Sequence, residues 1–330
     1  MKYSLAAGLI ILVASCSTKE KNIGSIERID PELDALISAD AKVEILADGF
    51  SWSEGPLWLP SQNFLVFSDV PTNTVYKWTE EKGKEVYLKP SGYTASAGGY
   101  SKEEGSNGLT LNNEGKLVLC QHGDRKVSVM DAPLDAPAPT FISLADNYQG
   151  KKLNSPNDAV FNSKGDLFLT DPPYGLPQEG DDSTKEIAFQ GVFKATNGTL
   201  TLITDTLTRP NGIALFPGER KLIVANSDPA KAVWYTFDLL ENDSVANAKI
   251  FYDATENTKT EKGLPDGLKV DKQGNVFASG PGGIWIFNKD GKLLGKIKIP
   301  EATANCAFSP DEKTLYITAD MYVLRVKLRS

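Results

Sequence analysis

The sequence predicts an all-β fold: a six-bladed β-propeller with a metal-binding central channel. Three observations carry the prediction. One short pattern recurs six times, each copy contains runs of strand-forming residues separated by turns, and no long segment shows a helical period. Repeats of ~40–50 residues with about four strands each are the signature of propeller blades. A length of 330 residues would suggest about two domains at roughly 150 residues per domain. The repeat continues through the middle of the chain without a linker, so one domain is expected over residues 41–330.

The first element is a targeting segment. Residues 1–15 place Lys2 before an apolar run, Leu5 to Ala14, and Ala14-Ser15 before Cys16. The run is too short to span a bilayer of ~30 Å as a helix. Val13-Ala14-Ser15-Cys16 resembles a bacterial lipobox, which implies cleavage before Cys16 and lipidation of that residue. The expected location is the bacterial cell envelope, periplasm or cell surface, with the outer membrane as the anchoring site. Residues 16–40 are polar and charged and are read as a tether, with room for a short helix after Pro31.

The six copies begin at Glu54-Gly55-Pro56-Leu57-Trp58, Asn107-Gly108-Leu109, Asn157-Asp158-Ala159-Val160, Asn211-Gly212-Ile213-Ala214, Asp266-Gly267-Leu268 and Asn305-Cys306-Ala307-Phe308. Their first residues are spaced by 53, 50, 54, 55 and 39 positions. A Gly/Pro/Asn/Asp turn follows each, as in Asn112-Asn113-Glu114-Gly115 and Asp271-Lys272-Gln273-Gly274, and then a second β-rich run such as Leu117-Val118-Leu119-Cys120. Val43-Glu44-Ile45-Leu46 is expected to supply the strand that completes the last blade. Cys120 and Cys306 lie far apart in this frame and are read as buried free thiols.

Composition narrows the chemistry. The net charge of −8 argues against nucleic acid, which needs a basic surface. His122 is the sole histidine, so a three-histidine zinc site is impossible and any Ser-His-Asp triad would have to use that residue. Carboxylates and amides must carry the chemistry.

In a propeller the starts of the innermost strands converge at one mouth of the channel. Here that ring is Glu54, Asn107, Asn157, Asn211, Asp266 and Asn305, each with a side-chain oxygen. Such a set suits a hard cation: Ca2+ takes 6–8 oxygen ligands, and other divalent ions (Zn2+, Mg2+, Mn2+) are alternatives. The competing explanation is that Asn and Asp only shape turns, which fits Glu54 poorly. The ends of the second strands return to the same mouth with Asp69, Gln121-His122, Asp171, Asn226 with Asp228, and Asp320, forming a second polar tier. The insertion from Asp171 to Gln190 is expected to wall or cover the mouth.

These residues resemble a known family, that of gluconolactonase, regucalcin (senescence marker protein) and luciferin-regenerating enzyme. The resemblance spans roughly residues 43–328. It is carried by Glu54-Gly55-Pro56-Leu57-Trp58, Leu119-Cys120-Gln121-His122-Gly123, Leu153-Asn154-Ser155-Pro156-Asn157-Asp158, Thr170-Asp171-Pro172-Pro173-Tyr174-Gly175, Arg209-Pro210-Asn211-Gly212-Ile213 and Leu264-Pro265-Asp266-Gly267-Leu268. Two of these stretches, Cys120–Gly123 and Asp171–Gly175, are most similar to bacterial gluconolactonases. The resemblance implies a cation held by Glu54, Asn211 and Asp266, with Asn157 on the metal or beside it. It implies substrate contacts from Asn107, Asn157 and His122, and proton transfer by Asp266. Regucalcin-like members carry Arg at the position of Ser155.

The implied reaction is hydrolysis of a sugar lactone, a small molecule, to an aldonic acid. Asp266 is the expected base, with His122 as a further catalytic candidate and Asp171 in reserve. Two other readings stay open: a calcium-dependent arylesterase or phosphotriesterase, and a non-enzymatic surface propeller that binds a glycan or protein around a structural ion. The only membrane contact expected is the lipid on Cys16.

Overall fold

Each of the six repeats folds into one antiparallel sheet, numbered blades I to VI from the repeat that begins at Glu54. The computed structural model of the protein describes residues 22–95, 99–240 and 244–329. The strands nearest the axis are Ser53–Leu59, Ser106–Leu111, Ala159–Phe161, Pro210–Leu215, Leu268–Val270 and Thr303–Phe308. Each packs against its successor, and that of blade VI packs against that of blade I, so the ring closes.

The turns after the inner strands form as their composition predicts. Asn112 Oδ1 accepts from the amides of Glu114 and Lys116, and Asp271 Oδ1 from those of Gln273 and Asn275. These short polar side chains stand in for backbone acceptors and fix each turn. Apolar residues of facing sheets fill the spaces between blades; Val66 of blade I packs with Leu109, Leu117 and Leu119 of blade II. Cys120 and Cys306 are buried and free.

Val43–Asp48 is the outer strand of blade VI, antiparallel to Tyr322–Lys327, with Ile45 opposite Leu324. The first and last strands of the ring thus share one sheet, as the sequence predicts.

The preceding segment corrects an expectation. Residues 22–40 are not a free tether. Ser25–Arg28 pairs with Leu293–Lys298 as a fifth strand of blade V. A 3-10 turn, Pro31–Ala35, follows, and Leu33 and Ile37 are fully buried against Leu294 and Ile297. Arg28 ties the turn down by donating to the carbonyls of Ile37 and Ser38. The many charges of this stretch mask a few well-spaced apolar residues, and those few decide its placement. The signal segment, Cys16 and the start of the tether lie outside the described residues.

Candidate functional site

The start of the inner strand is distorted in four of the six blades, in the way that aims a side chain at the axis. Register shifts fall between Glu54 and Leu57, Ser106 and Leu109, Pro210 and Ile213, and Thr303 and Asn305. A bulge adds one residue on one strand and redirects the side chain there. Glycine follows because adjacent inner strands nearly touch. Gly55 has φ +46°, and a Cβ there would lie 2.2 Å from the carbonyl oxygen of Asn107. A Cβ on Gly212 would lie 2.3 Å from that of Asp266. The Glu-Gly, Asn-Gly and Asp-Gly pairs are therefore close-approach sites around the axis, not turns.

Buried hydroxyls on the second strands, which sequence reasoning did not single out, lock this ring. Ser68 donates to the carbonyl of Asn107 at 2.9 Å, Thr170 to that of Asn211 at 2.7 Å and Ser279 to that of Ala304 at 2.8 Å. Each bond joins one blade to the next at the level of the ring.

Five of the six ring residues line one cavity of about 220 Å³: Glu54, Asn107, Asn157, Asn211 and Asp266. All five are buried or nearly so. The Oδ1 atoms of Asn107, Asn211 and Asp266 are buried without any hydrogen-bond partner. Glu54 Oε2 accepts from the amide of Gly55, at 2.9 Å. Burial raises the Glu54 carboxyl well above the usual range, and the charges of Asp158 and Glu103 add to it. Burial also raises Asp266, followed by the nearby charge of Glu54. Two buried carboxylates that repel one another, with neutral amide oxygens left unsatisfied, form an arrangement a cation would complete. The donors are all oxygens, which suits a hard ion. Among the described residues no group of three or more His, Cys, Asp and Glu has a metal-holding arrangement; the set here is two carboxylates and amides.

Asn305 departs from the ring. Its Oδ1 accepts from the amide of Cys306 at 2.8 Å and from Lys269 Nζ at 3.3 Å, and its side chain also bonds Glu54 and Asp158. Asp158, 3.8 Å from Lys269 Nζ, is a buried channel carboxylate that sequence reasoning passed over. Asp158 Oδ2 has no hydrogen-bond partner, and Lys269 is the cation nearest to it.

Two predicted catalytic residues lie elsewhere. Asp171 is fully buried and does not line the cavity. Its Oδ2 accepts from the amide of Asn154 at 2.8 Å and its Oδ1 from that of Ser155 at 2.9 Å. Both oxygens are committed to backbone, so its role is to hold the loop leading to Asn157. His122 is also fully buried and outside the cavity lining. Its Nδ1 lies 3.2 Å from the carbonyl oxygen of Glu103. A carbonyl can only accept, so Nδ1 carries the proton. Burial depresses the imidazole to about 4, and the ring is neutral near pH 7. His122 thus stands outside the lining of this cavity, behind the Glu103 loop, with its Nε2 buried and without a hydrogen-bond partner.

The insertion after Asp171 does form a wall. It places Tyr174 in the cavity lining, where its phenol bonds the side chains of Ser227 and Asn211. Arg209 lies 5.8 Å from the Tyr174 ring centroid and 3.7 Å from Glu179. Trp52, Arg209 and Glu103 complete the polar and aromatic rim. Glu103 was not singled out from the sequence, because its loop lies outside the repeated frame.

A closed ring of six blades whose inner strands turn side-chain oxygens toward one channel mouth defines a β-propeller with a polar central site. The chain belongs to the family described as the SMP-30/Gluconolactonase/LRE-like region, which matches residues 52–320. It is 40% identical over 314 residues to the gluconolactonase of Zymomonas mobilis, covering 93% of this chain and 87% of that protein. It is 22% identical over 284 residues to the diisopropyl-fluorophosphatase of Loligo vulgaris, covering 81% and 85%. Among solved structures, a gluconolactonase from Xanthomonas campestris superposes with a TM-score of 0.80 at 28% identity, covering 95% of this chain and 99% of that one.

Proposed function

We propose that the protein hydrolyses a sugar lactone of the gluconolactone type to the aldonic acid, at the channel mouth and with a divalent cation held by Glu54, Asn211 and Asp266. Asn157 and Asn107 border the same position. The observation that carries the reading is the set of orphaned buried oxygens on Asn107, Asn211 and Asp266, facing one cavity with the raised carboxyl of Glu54. The gluconolactonase relative at 40% identity supports the substrate class. A divalent ion bound there supplies Lewis-acid polarisation of a carbonyl.

The chain's own residues supply the rest. The amide groups of Asn107 and Asn157 can donate to the lactone oxygens and to the charge that develops on the carbonyl. Trp52 and Tyr174 give the wall ring faces against which a sugar can lie, and the Arg209 guanidinium supplies donors for its hydroxyls. A volume of about 220 Å³ admits a monosaccharide-sized lactone and little more.

A lactone panel tests this, with protein stripped by a chelator and reloaded with Ca2+, Zn2+, Mg2+ or Mn2+. The expected result is hydrolysis that stops on stripping and returns with one of the ions, together with a rise in melting temperature on reloading. Full activity in the stripped protein would end the cation assignment, and inertness toward every lactone would end the hydrolase assignment. Adding an organophosphate to the panel addresses the second reading, to which the Loligo relative lends support; a rate above that on any lactone would favour it.

We also propose that Cys16 is lipidated and holds the enzyme in the cell envelope. The support is the Val13–Cys16 pattern alone, and Cys16→Ser should release the protein from the membrane fraction.

A further inference from the structure

Lactone opening requires a group that takes a proton from water and returns it to the ring oxygen. Asp266 and Glu54 are poorly suited to this, because a carboxylate committed to a dication loses basicity. Asp171 is committed to two backbone amides. Glu179, at the rim, lies near Arg209. One carboxylate of the cavity lining is left.

We propose that Glu103 is the proton-transferring carboxylate of this site and that His122 is the residue that positions it. The proposal rests on the lactonase reading above and deepens it. Glu103 lines the same cavity as Glu54 and Asp266. Its carboxylate accepts no hydrogen bond from any described residue, and Nδ1 of the neutral His122 lies 3.9 Å from it. Its side chain is 36% exposed, so it meets both the cavity and water.

The backbone around it is fixed. His122 Nδ1 donates to the carbonyl of Glu103, the His122 amide to that of Gly105 at 3.2 Å and the Gly123 amide to that of Glu104 at 3.1 Å. The imidazole is itself wedged by Gly175, where a Cβ would lie 2.5 Å from His122 Cβ. Three consecutive carbonyls of one loop are therefore held by one buried dipeptide, which pre-sets the side chain's departure point.

The chemistry balances. Water oxygen bonds to the lactone carbonyl carbon while one of its protons passes to the Glu103 carboxylate. The tetrahedral adduct then collapses, the bond from the acyl carbon to the ring oxygen breaks, and its electron pair stays on the ring oxygen. The Glu103 carboxyl returns the proton to that oxygen, giving the hydroxy acid and restoring the carboxylate. Partial burial and the charge of Glu179 push Glu103 up to about 7, close to the operating range favoured for a general base. The other groups facing it are Glu54 and Asp266 across the cavity, Arg209 at the rim and the neutral His122 behind.

Kinetics of reloaded wild type, Glu103→Gln and Glu103→Asp decide the matter. Glu103→Gln should lower kcat at least 100-fold, with KM within threefold and the cation-induced rise in melting temperature unchanged. The acid limb of the wild-type rate profile near pH 7 should vanish in Glu103→Gln. Glu103→Asp should keep that limb and part of the rate, which covers the case in which the glutamine variant does not fold. An unchanged kcat in Glu103→Gln, a loss confined to KM, or persistence of the acid limb would overturn the proposal. A wild type that opens no lactone defeats the underlying reading as well, whereas an active wild type with an equally active Glu103→Gln defeats this inference alone.

Discussion

Two tiers of polar residues circle the channel mouth, and they differ in what their oxygens touch. The upper tier, at the ends of the second strands, is tied to backbone amides in blades I, III and IV, whereas Gln121 Oε1 and His122 Nε2 of blade II are buried without a partner. Asp69 Oδ1 accepts from the amides of Ser51 and Trp52, Asp171 from those of Asn154 and Ser155, and Asn226 Oδ1 from that of Arg209. Those amides lie two and three residues before Glu54, Asn157 and Asn211, so the same repeated bond holds the approach to three ring residues. The lower tier, at the inner strands, keeps orphaned oxygens on Asn107, Asn211 and Asp266. Buried polar groups are normally paired, and an unpaired one costs about 1–3 kcal/mol. In blades I, III and IV the protein therefore spends the upper-tier oxygens on fold-making bonds, while the lower tier keeps oxygens free for a ligand.

That contrast predicts opposite behaviour for two aspartates. Asp266→Asn should lower lactone kcat/KM about 1,000-fold, equivalent to about 4 kcal/mol. It should leave the fold intact and raise the melting temperature of the chelator-stripped protein, because it removes one of two buried charges that repel each other. The cation-induced gain in melting temperature should shrink in the same variant. Calorimetry with and without the ion reads both effects, and a stripped Asp266→Asn that melts below stripped wild type would break the comparison.

Asp171→Ala should do the reverse. It orphans two buried amides and should cost about 3 kcal/mol of stability. The loss should be the same with and without the ion, since Asp171 is outside the cavity. Denaturant unfolding measures it. A loss that appears only in the loaded protein would place Asp171 in the ligand system after all.

How much of this the sequence discloses depends on whether a feature repeats. The blades and their ring positions recur at spacings of 39 to 55 residues, so repetition exposes them, and the closing strand Val43–Asp48 follows from the need to complete the last blade. The metal-type ring is legible because Glu54 stands where a turn-forming Asn would otherwise serve. The tier distinction is not legible, because Asp171 and Asp266 are both acids at strand ends and only three-dimensional contacts show which carries amides. Glu103 sits in a non-repeating loop and gives no periodic signal. Leu33 and Ile37 were masked by the charge of their surroundings, though together with Ile23, Ile26 and Leu36 they form one packed apolar face.

Blade II breaks the upper-tier pattern, and its exception gives the smallest of the expected effects. There the contact runs the other way: the His122 amide donates to the carbonyl of Gly105, two residues before Asn107, and the imidazole backs the Glu103 loop. The ring is buried and neutral, with its value depressed from 6.5 to about 4. A base whose folded value is depressed contributes stability that is present above the unfolded value and is lost as pH falls toward the folded one. Stability should therefore decline through His122 by about 1.5 kcal/mol between pH 6.5 and pH 5. The buried carboxyls Asp171 and Glu103, raised to about 7, titrate in the opposite sense, favouring the fold as pH falls. The comparison must therefore be wild type against His122→Gln, in which the decline through the imidazole is absent and the carboxyl contributions remain. Because the chain holds a single histidine, its imidazole proton resonance reports the site directly. A resonance that titrates near 6.5 in the folded protein would mean that the imidazole is solvated and cannot hold the Glu103 loop.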